Sequence, residues 1–122
     1  MPDSTPTRLT VVLDCPDPAA LADFYRRVLE WSGEPAAEED GSWVTLEGPF
    51  GRVAFQRIPD YVAPTWPGGE HPQMLHLDFR VPDLDAGHER VLALGAKFLD
   101  DTYADSFRVY ADPAGHPFCL TI

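Results

Sequence analysis

The stretch His76-Leu77-Asp78-Phe79-Arg80-Val81-Pro82-Asp83 decides the fold, because an earlier stretch repeats its design. Val11-Val12-Leu13-Asp14-Cys15-Pro16-Asp17 has the same form: a run of strand-forming residues, a proline, then an aspartate placed to cap a helix. Each copy continues into one amphipathic helix and several short strands. A chain that says the same thing twice predicts two small βαβββ units. Their open sheets must bury a face against each other or against another chain, which makes a cleft between them the natural place for a ligand.

Working outward from the first copy, strand-forming residues run from Leu9 to Asp14, and Pro18 takes the first helical position after Asp17. Leu21, Phe24, Val28 and Leu29 recur at helical spacing, so a helix is predicted over 18–30, stopped by Gly33 and Pro35. Short strands are predicted near 34–38, 42–47 and 52–58, with Asp40-Gly41 as the turn between the first two. In the second copy a strand over 75–81 leads to a helix over 84–94, closed by Gly95. Leu84, Val91 and Leu94, joined by Gly87 and His88, form its inward stripe, with His88 half-exposed. Strands near 97–102, 106–110 and 117–121 follow, and Asp112-Pro113-Ala114-Gly115 turns into the last of them. Residues 59–73, rich in proline, form the linker and carry Tyr61, Trp66 and His71. A long connection of this kind is either a wall of a binding site or a rigid strap with Trp66 plugging the edge of the core. The predicted organisation is a loose arm at 1–8 and one domain at 9–122, made of module 9–58, linker 59–73 and module 74–122.

The chain has 122 residues, 44% of them hydrophobic with seven Phe, four Tyr and three Trp, enough for a real core in one compact domain. Twenty acidic residues against nine basic ones give a formal charge of -11, which disfavours nucleic acid and anionic membrane as partners. No apolar run is long enough for a bilayer and no basic, apolar leader opens the chain, so a cytoplasmic location is expected. Cys15 and Cys119 both lie in strand patterns and are expected as buried free thiols.

Side chains alternate across a strand. Leu75, Leu77, Phe79 and Val81 therefore share one face, and His76, Asp78 and Arg80 the other. On the first strand Val11 and Leu13 oppose Thr10, Val12 and Asp14; on the last, Phe118, Leu120 and Ile122 oppose Cys119 and Thr121. The apolar faces should meet the helices, and the remaining faces suit a partly wet cavity. There Asp14, Asp78 and Arg80 form either a closed ion-pair cluster or a site in which Arg80 grips an anion beside His76 as acid–base or ligand residue.

The chain resembles the vicinal oxygen chelate superfamily, in particular its small glyoxalase-like and bleomycin-resistance-like proteins. The likeness covers Leu9 to Ile122 and rests on Asp17-Pro18-Ala19-Ala20-Leu21-Ala22-Asp23-Phe24-Tyr25 with Val28-Leu29, on His76 to Val81, on Asp83-Leu84-Asp85-Ala86, on Leu94-Gly95-Ala96 and on Asp112-Pro113-Ala114-Gly115-His116-Pro117-Phe118. Glu30 stands where a glycine is common. The resemblance implies an α+β fold of paired βαβββ modules forming a curved mixed sheet with a central cavity. It implies metal positions at Thr10, Gln56, His76 and Cys119, where relatives carry His, Gln or Glu. His76 fits, Gln56 offers a carbonyl oxygen, Thr10 is a poor ligand, and Cys119 replaces the terminal Glu. That Glu also serves proton transfer in glyoxalase-type isomerisation, and its absence argues against that reaction here. The expectation is accordingly a metal-independent small-molecule-binding protein with no cofactor. Its ligand, anionic or aromatic, would touch Thr10, Asp14, Gln56, Tyr61, Trp66, Asp78, Arg80 and Cys119. The alternative is a lyase or isomerase using His76, with or without a divalent metal. A homodimer is expected, since two open sheets in a small chain leave edges for a second copy to cover.

Overall fold

The computed structural model describes residues 4–66, 68–100 and 105–122, in two compact units, Met1–Pro59 and Asp60–Ile122. Each is a βαβββ module with a four-stranded mixed sheet.

In the first unit β1 (Val11–Cys15) leads into α1 (Pro18–Leu29), followed by β2 (Ala36–Ala37), β3 (Trp43–Gly48) and β4 (Gly51–Arg57). The sheet order is β1-β4-β3-β2, with β1 parallel to β4 and the other pairs antiparallel. The helix begins where the sequence says it should: the Asp17 carboxylate accepts the Ala20 N–H at 3.2 Å, and Pro18 follows in the first turn. It ends at Glu30, whose φ of 54° is left-handed, so the departure from glycine falls on a position that favours glycine. Leu21, Phe24 and Tyr25 are buried, and Tyr25 stacks on Phe55 of β4 at 5.7 Å. The β2 strand is shorter than predicted because only Ala36 and Ala37 find partners, Thr45 and Val44. At the predicted turn Asp40 accepts the Ser42 N–H at 3.0 Å, and Gly41 takes a φ of 75°.

In the second unit β5 (Leu77–Arg80), α2 (Leu84–Leu94), β6 (Lys97–Asp100), β7 (Phe107–Ala111) and β8 (Pro117–Thr121) repeat the plan in the order β5-β8-β7-β6. Asp83 caps α2 by accepting the Ala86 N–H at 3.1 Å, and Gly95 ends it with φ 115°. Part of the strand predicted over 97–102 lies outside the described residues. The helix packs closely: a Cβ on Gly87 would sit 3.1 Å from Leu120 Cδ1. On the same face His88 is half-buried, with Nδ1 2.8 Å from the hydroxyl of the buried Tyr110, and Tyr110 stacks on Phe118 at 5.4 Å. The helix side of this sheet is thus an aromatic core, and its chemistry lies on the other side.

The linker belongs to the second unit from Asp60 onward. It is a built loop: the Thr65 N–H donates to His71 O at 2.7 Å, and the Thr65 hydroxyl accepts the His71 N–H at 3.2 Å. Among the described residues no helix is long and apolar enough to cross a membrane.

Candidate metal centre and ligand cleft

The β5·β8 register is parallel, pairing Leu77 with Phe118, Asp78 with Cys119, Phe79 with Leu120 and Arg80 with Thr121. Alternation sends Phe118 and Leu120 into the helix-side core, where they are fully buried, and Cys119 to the opposite face. Asp78 follows Cys119 as its register partner, and His76 lies two residues before Asp78 on the same side. His76 Nε2 stands 3.1 Å from Asp78 Oδ1. One donor atom each from His76, Asp78 and Cys119 lies within 4.8 Å of the others.

These three residues form part of the wall of a cleft of about 390 Å³. Antiparallel pairing sets Val109 opposite Cys119 and Phe107 opposite Thr121, so these side chains continue the same wall. Pro117, Asp100, Gln73 and Trp66 complete it. The result is a largely apolar surface in which His76, Asp78 and Cys119 gather at one point, with Asp100 on the far strand β6, as small-molecule sites combine apolar walls with a few placed polar groups. Two groups show the electrostatic character. Burial pushes the Cys119 thiol up to about 12, helped by the adjacent Asp78 carboxylate, which repels a thiolate and accepts the S–H. The Gln73 side-chain oxygen is buried without a partner, so an incoming donor would find an acceptor waiting.

The other predicted residues fall elsewhere. Arg80 shares the strand face of His76 and Asp78 but lines a shallow depression with Val81, Pro82 and Ile122. Of the two alternatives for the cluster, the closed one with an Arg80–Asp78 ion pair is not formed among the described residues, where Asp78 turns to His76. Tyr61 lies outside the cleft lining: its hydroxyl donates to Ala114 O at 2.8 Å and touches His116 Nε2 at 3.2 Å, holding the turn before β8. In the first unit Asp14 and Gln56 are register partners, both exposed, and Thr10 is half-buried just ahead of β1.

Register also corrects the correspondence drawn between Gln56 and Cys119. Thr10 stands to Asp17 as His76 stands to Asp83, so Val12 answers to Asp78. Val12 pairs with Ala54, whereas Asp14 pairs with Gln56. The counterpart of Cys119 is therefore Ala54, and Gln56 answers to Thr121, one pair further along the same face. The first unit thus offers Thr10, Val12 and Ala54 where the second offers His76, Asp78 and Cys119.

Two βαβββ modules with mixed sheets define a vicinal oxygen chelate fold, here with a His/Asp/Cys cluster in its second module. The glyoxalase-like domain family matches residues 10–121, and the chain belongs to it, within the glyoxalase/bleomycin-resistance-like superfamily. No curated protein matches it in sequence. Among solved structures it is similar to a possible glyoxalase from Bacillus cereus, with TM-score 0.70 and 12% identity over 97% of this chain and 100% of that one. The fosfomycin resistance protein FosX from Mesorhizobium loti gives 0.68 and 14% over 97% and 90%. A mutant FosX from Listeria monocytogenes, complexed with Mn(II) and a dihydroxypropylphosphonic acid, gives 0.66 and 14% over 98% and 92%. At such identities the likeness is one of fold.

The missed lining residues carried weak signals. Phe107 and Val109 follow from the same alternation once β7 is known to pair with β8. Alternation put Asp78 on the face of His76 as an ion-pair and ligand-binding residue; its place as a third donor beside Cys119 follows only from the β5·β8 register.

Proposed function

We propose that the cleft of the second unit binds a small oxygen-bearing molecule at a divalent metal held by His76, Asp78 and Cys119, and that the chain acts there as a vicinal oxygen chelate enzyme, a lyase or isomerase. The observation that carries this is the convergence of three donor atoms within 4.8 Å on one wall of a largely apolar cleft. The set fits a metal on its own chemistry. Three protein donors facing an open cleft leave a position for substrate or water, as in catalytic rather than structural sites. When bound, the metal polarises a substrate oxygen. The chain's own residues supply the rest. Trp66, Phe107, Val109 and Pro117 bury the apolar part of the ligand and exclude water. Gln73 offers its side-chain oxygen to a ligand donor. Arg80 lies two register pairs beyond Asp78 and outside the cleft lining, so it is not among the residues that hold the ligand there. The fosfomycin resistance proteins of the same fold, one described with Mn(II) and a phosphonic acid, support the metal and the anion together.

One observation favours the metal-independent alternative. The Cys119 thiol is held protonated by burial and by Asp78, and His76 already has Asp78 as a partner, so the cluster is satisfied without an ion. In that case His76 and Asp78 act as a polar clamp on the ligand. The discriminating experiment uses full-length, tag-free protein stripped with chelator. Metal binding is measured by equilibrium dialysis, and binding of phosphonates, carboxylates and neutral aromatics by calorimetry, before and after metal is restored. One divalent ion per chain, lost in His76→Ala, together with ligand binding that needs the ion, is the expected result. Unchanged ligand binding in the stripped protein establishes the metal-free alternative instead.

A further inference from the structure

We infer that Cys119 makes this centre thiophilic, so that it takes zinc or another sulfur-preferring divalent ion through a thiolate and discriminates against manganese and magnesium. The inference rests on the metal-assisted reading above and specifies which class of ion that site holds.

Position comes first. Cys119 is 7% exposed, at the centre of β8 between Pro117 and Thr121 on the cleft wall, with Val109 as its antiparallel neighbour. Manganese and magnesium prefer all-oxygen surroundings, whereas one nitrogen, one carboxylate oxygen and one sulfur suit zinc, cobalt or cadmium. Geometry comes second. Donors around a tetrahedral zinc ion stand about 3.5 Å apart. His76 Nε2 and Asp78 Oδ1 are already 3.1 Å apart, and the whole set lies within 4.8 Å. Only small side-chain rotations are needed, and the two ligands that must rotate are the exposed ones: the His76 and Asp78 side chains are 41% and 58% accessible. The buried thiol stays fixed and sets the position of the ion.

The other thiol supplies the contrast. Cys15 is fully buried on the helix face of β1, and its S–H points to Gln56 O at 3.7 Å. Among the described residues the His76, Asp78 and Cys119 set is the only cluster of three or more His, Cys, Asp or Glu donors. Burial of a thiol in a strand is therefore ordinary in this chain, and its placement beside a histidine and a carboxylate is not. Binding forms a sulfur–metal bond and releases the Cys119 proton to solvent; no oxidant or reductant is involved.

The test uses the full-length wild type, Cys119→Ser and Cys15→Ser, each stripped with chelator and titrated with Co(II), Cd(II), Zn(II), Mn(II) and Mg(II). Wild type and Cys15→Ser should show a sulfur-to-metal charge-transfer band, in the near ultraviolet with Co(II) and at shorter ultraviolet wavelengths with Cd(II). Cys119→Ser should lose it and bind zinc on the order of a hundred-fold more weakly, at or beyond the upper end of what losing an outer-shell partner costs. Zinc should displace manganese but not the reverse. Mapping iodoacetamide adducts on the wild type by mass spectrometry, with and without zinc, checks Cys119 protection independently of any variant's folding. Metal binding without the band, without protection of Cys119, or with manganese as tight as zinc overturns the inference and leaves the metal-assisted reading standing. No binding of any ion overturns both.

Discussion

At the scale of single residues, Cys119 is where burial and charge act most strongly. Without metal its thiol is pushed from 9.0 to about 12, first by burial and then by Asp78. A group whose folded pKa is raised holds its proton longer in the native state than in the unfolded one. Between pH 9 and 12 the native state therefore binds more protons, and stability falls as pH rises through that window. Below 9 the contribution is complete. Metal-free wild type should lose stability relative to Cys119→Ser between pH 9 and 12 and show no such relative loss below 9, as measured by urea unfolding. Tyr110 is also pushed upward, first by burial and least by Cys119, so the burial part is shared by both proteins and only the small Cys119 contribution adds to the difference between them. If wild type and variant keep the same stability difference across the whole range, the thiol is not held as described. Single residues also show what a lone sequence conceals. His76, Asp78 and Arg80 were legible as one face, because alternation needs no partner strand. Which of Gln56 and Ala54 answers to Cys119 was not, because that depends on register, and a shift of two leaves the face unchanged.

At the scale of elements, the two modules were legible because their punctuation is chemical. Asp17 and Asp83 start the helices and Gly95 ends the second, each through hydrogen bonds or a backbone angle that few residues supply. Loops gave less away, since their side chains go where tertiary partners take them. Tyr61 and Trp66 sit five residues apart in one segment, yet Tyr61 pins the turn before β8 and Trp66 lines the cleft. Tyr61→Phe removes the donor to Ala114 O and should cost about 1 kcal/mol, the usual net worth of such a bond. Chemical denaturation against wild type gives the value, and no change would mean that water replaces the hydroxyl without loss. The β3–β4 hairpin offers a stricter test. A Cβ on Gly48 would run into the ring of Trp31, which is 5% exposed and has Phe50 edge-on at 5.3 Å. Gly48→Ala must displace that indole, and overpacking of this kind costs about 1–3 kcal/mol. Trp31→Leu in the same background should recover part of the loss by making room. A Gly48→Ala protein as stable as wild type would show that Trp31 is not locked in place.

At the scale of the whole molecule, charge and apolar surface pull in opposite directions. Leu9, Phe50, Val62, Met74, Leu75 and Ile122 are all more than half exposed, and Met74 is 99% exposed. Leu9 precedes β1, and Met74 and Leu75 precede β5; β1 and β5 are edge strands of their sheets. Edge strands flanked by apolar side chains invite pairing with another chain. Against this stands a formal charge of -11 on every copy, which repels a second one. The balance depends on salt, because the screening length falls from roughly 30 Å at 0.01 M to about 8 Å at physiological ionic strength. We therefore expect a homodimer, twice the 13.5 kDa of one chain, at physiological salt, with the monomer gaining as salt is lowered. Light scattering coupled to size exclusion at both salt levels measures it. Met74→Lys adds a charge opposite to the net charge, so electrostatics alone would strengthen the dimer, while loss of an apolar contact would weaken it. A weaker dimer in Met74→Lys assigns the segment before β5 to the interface, and a 13.5 kDa species at both salt levels and high protein concentration rules the dimer out.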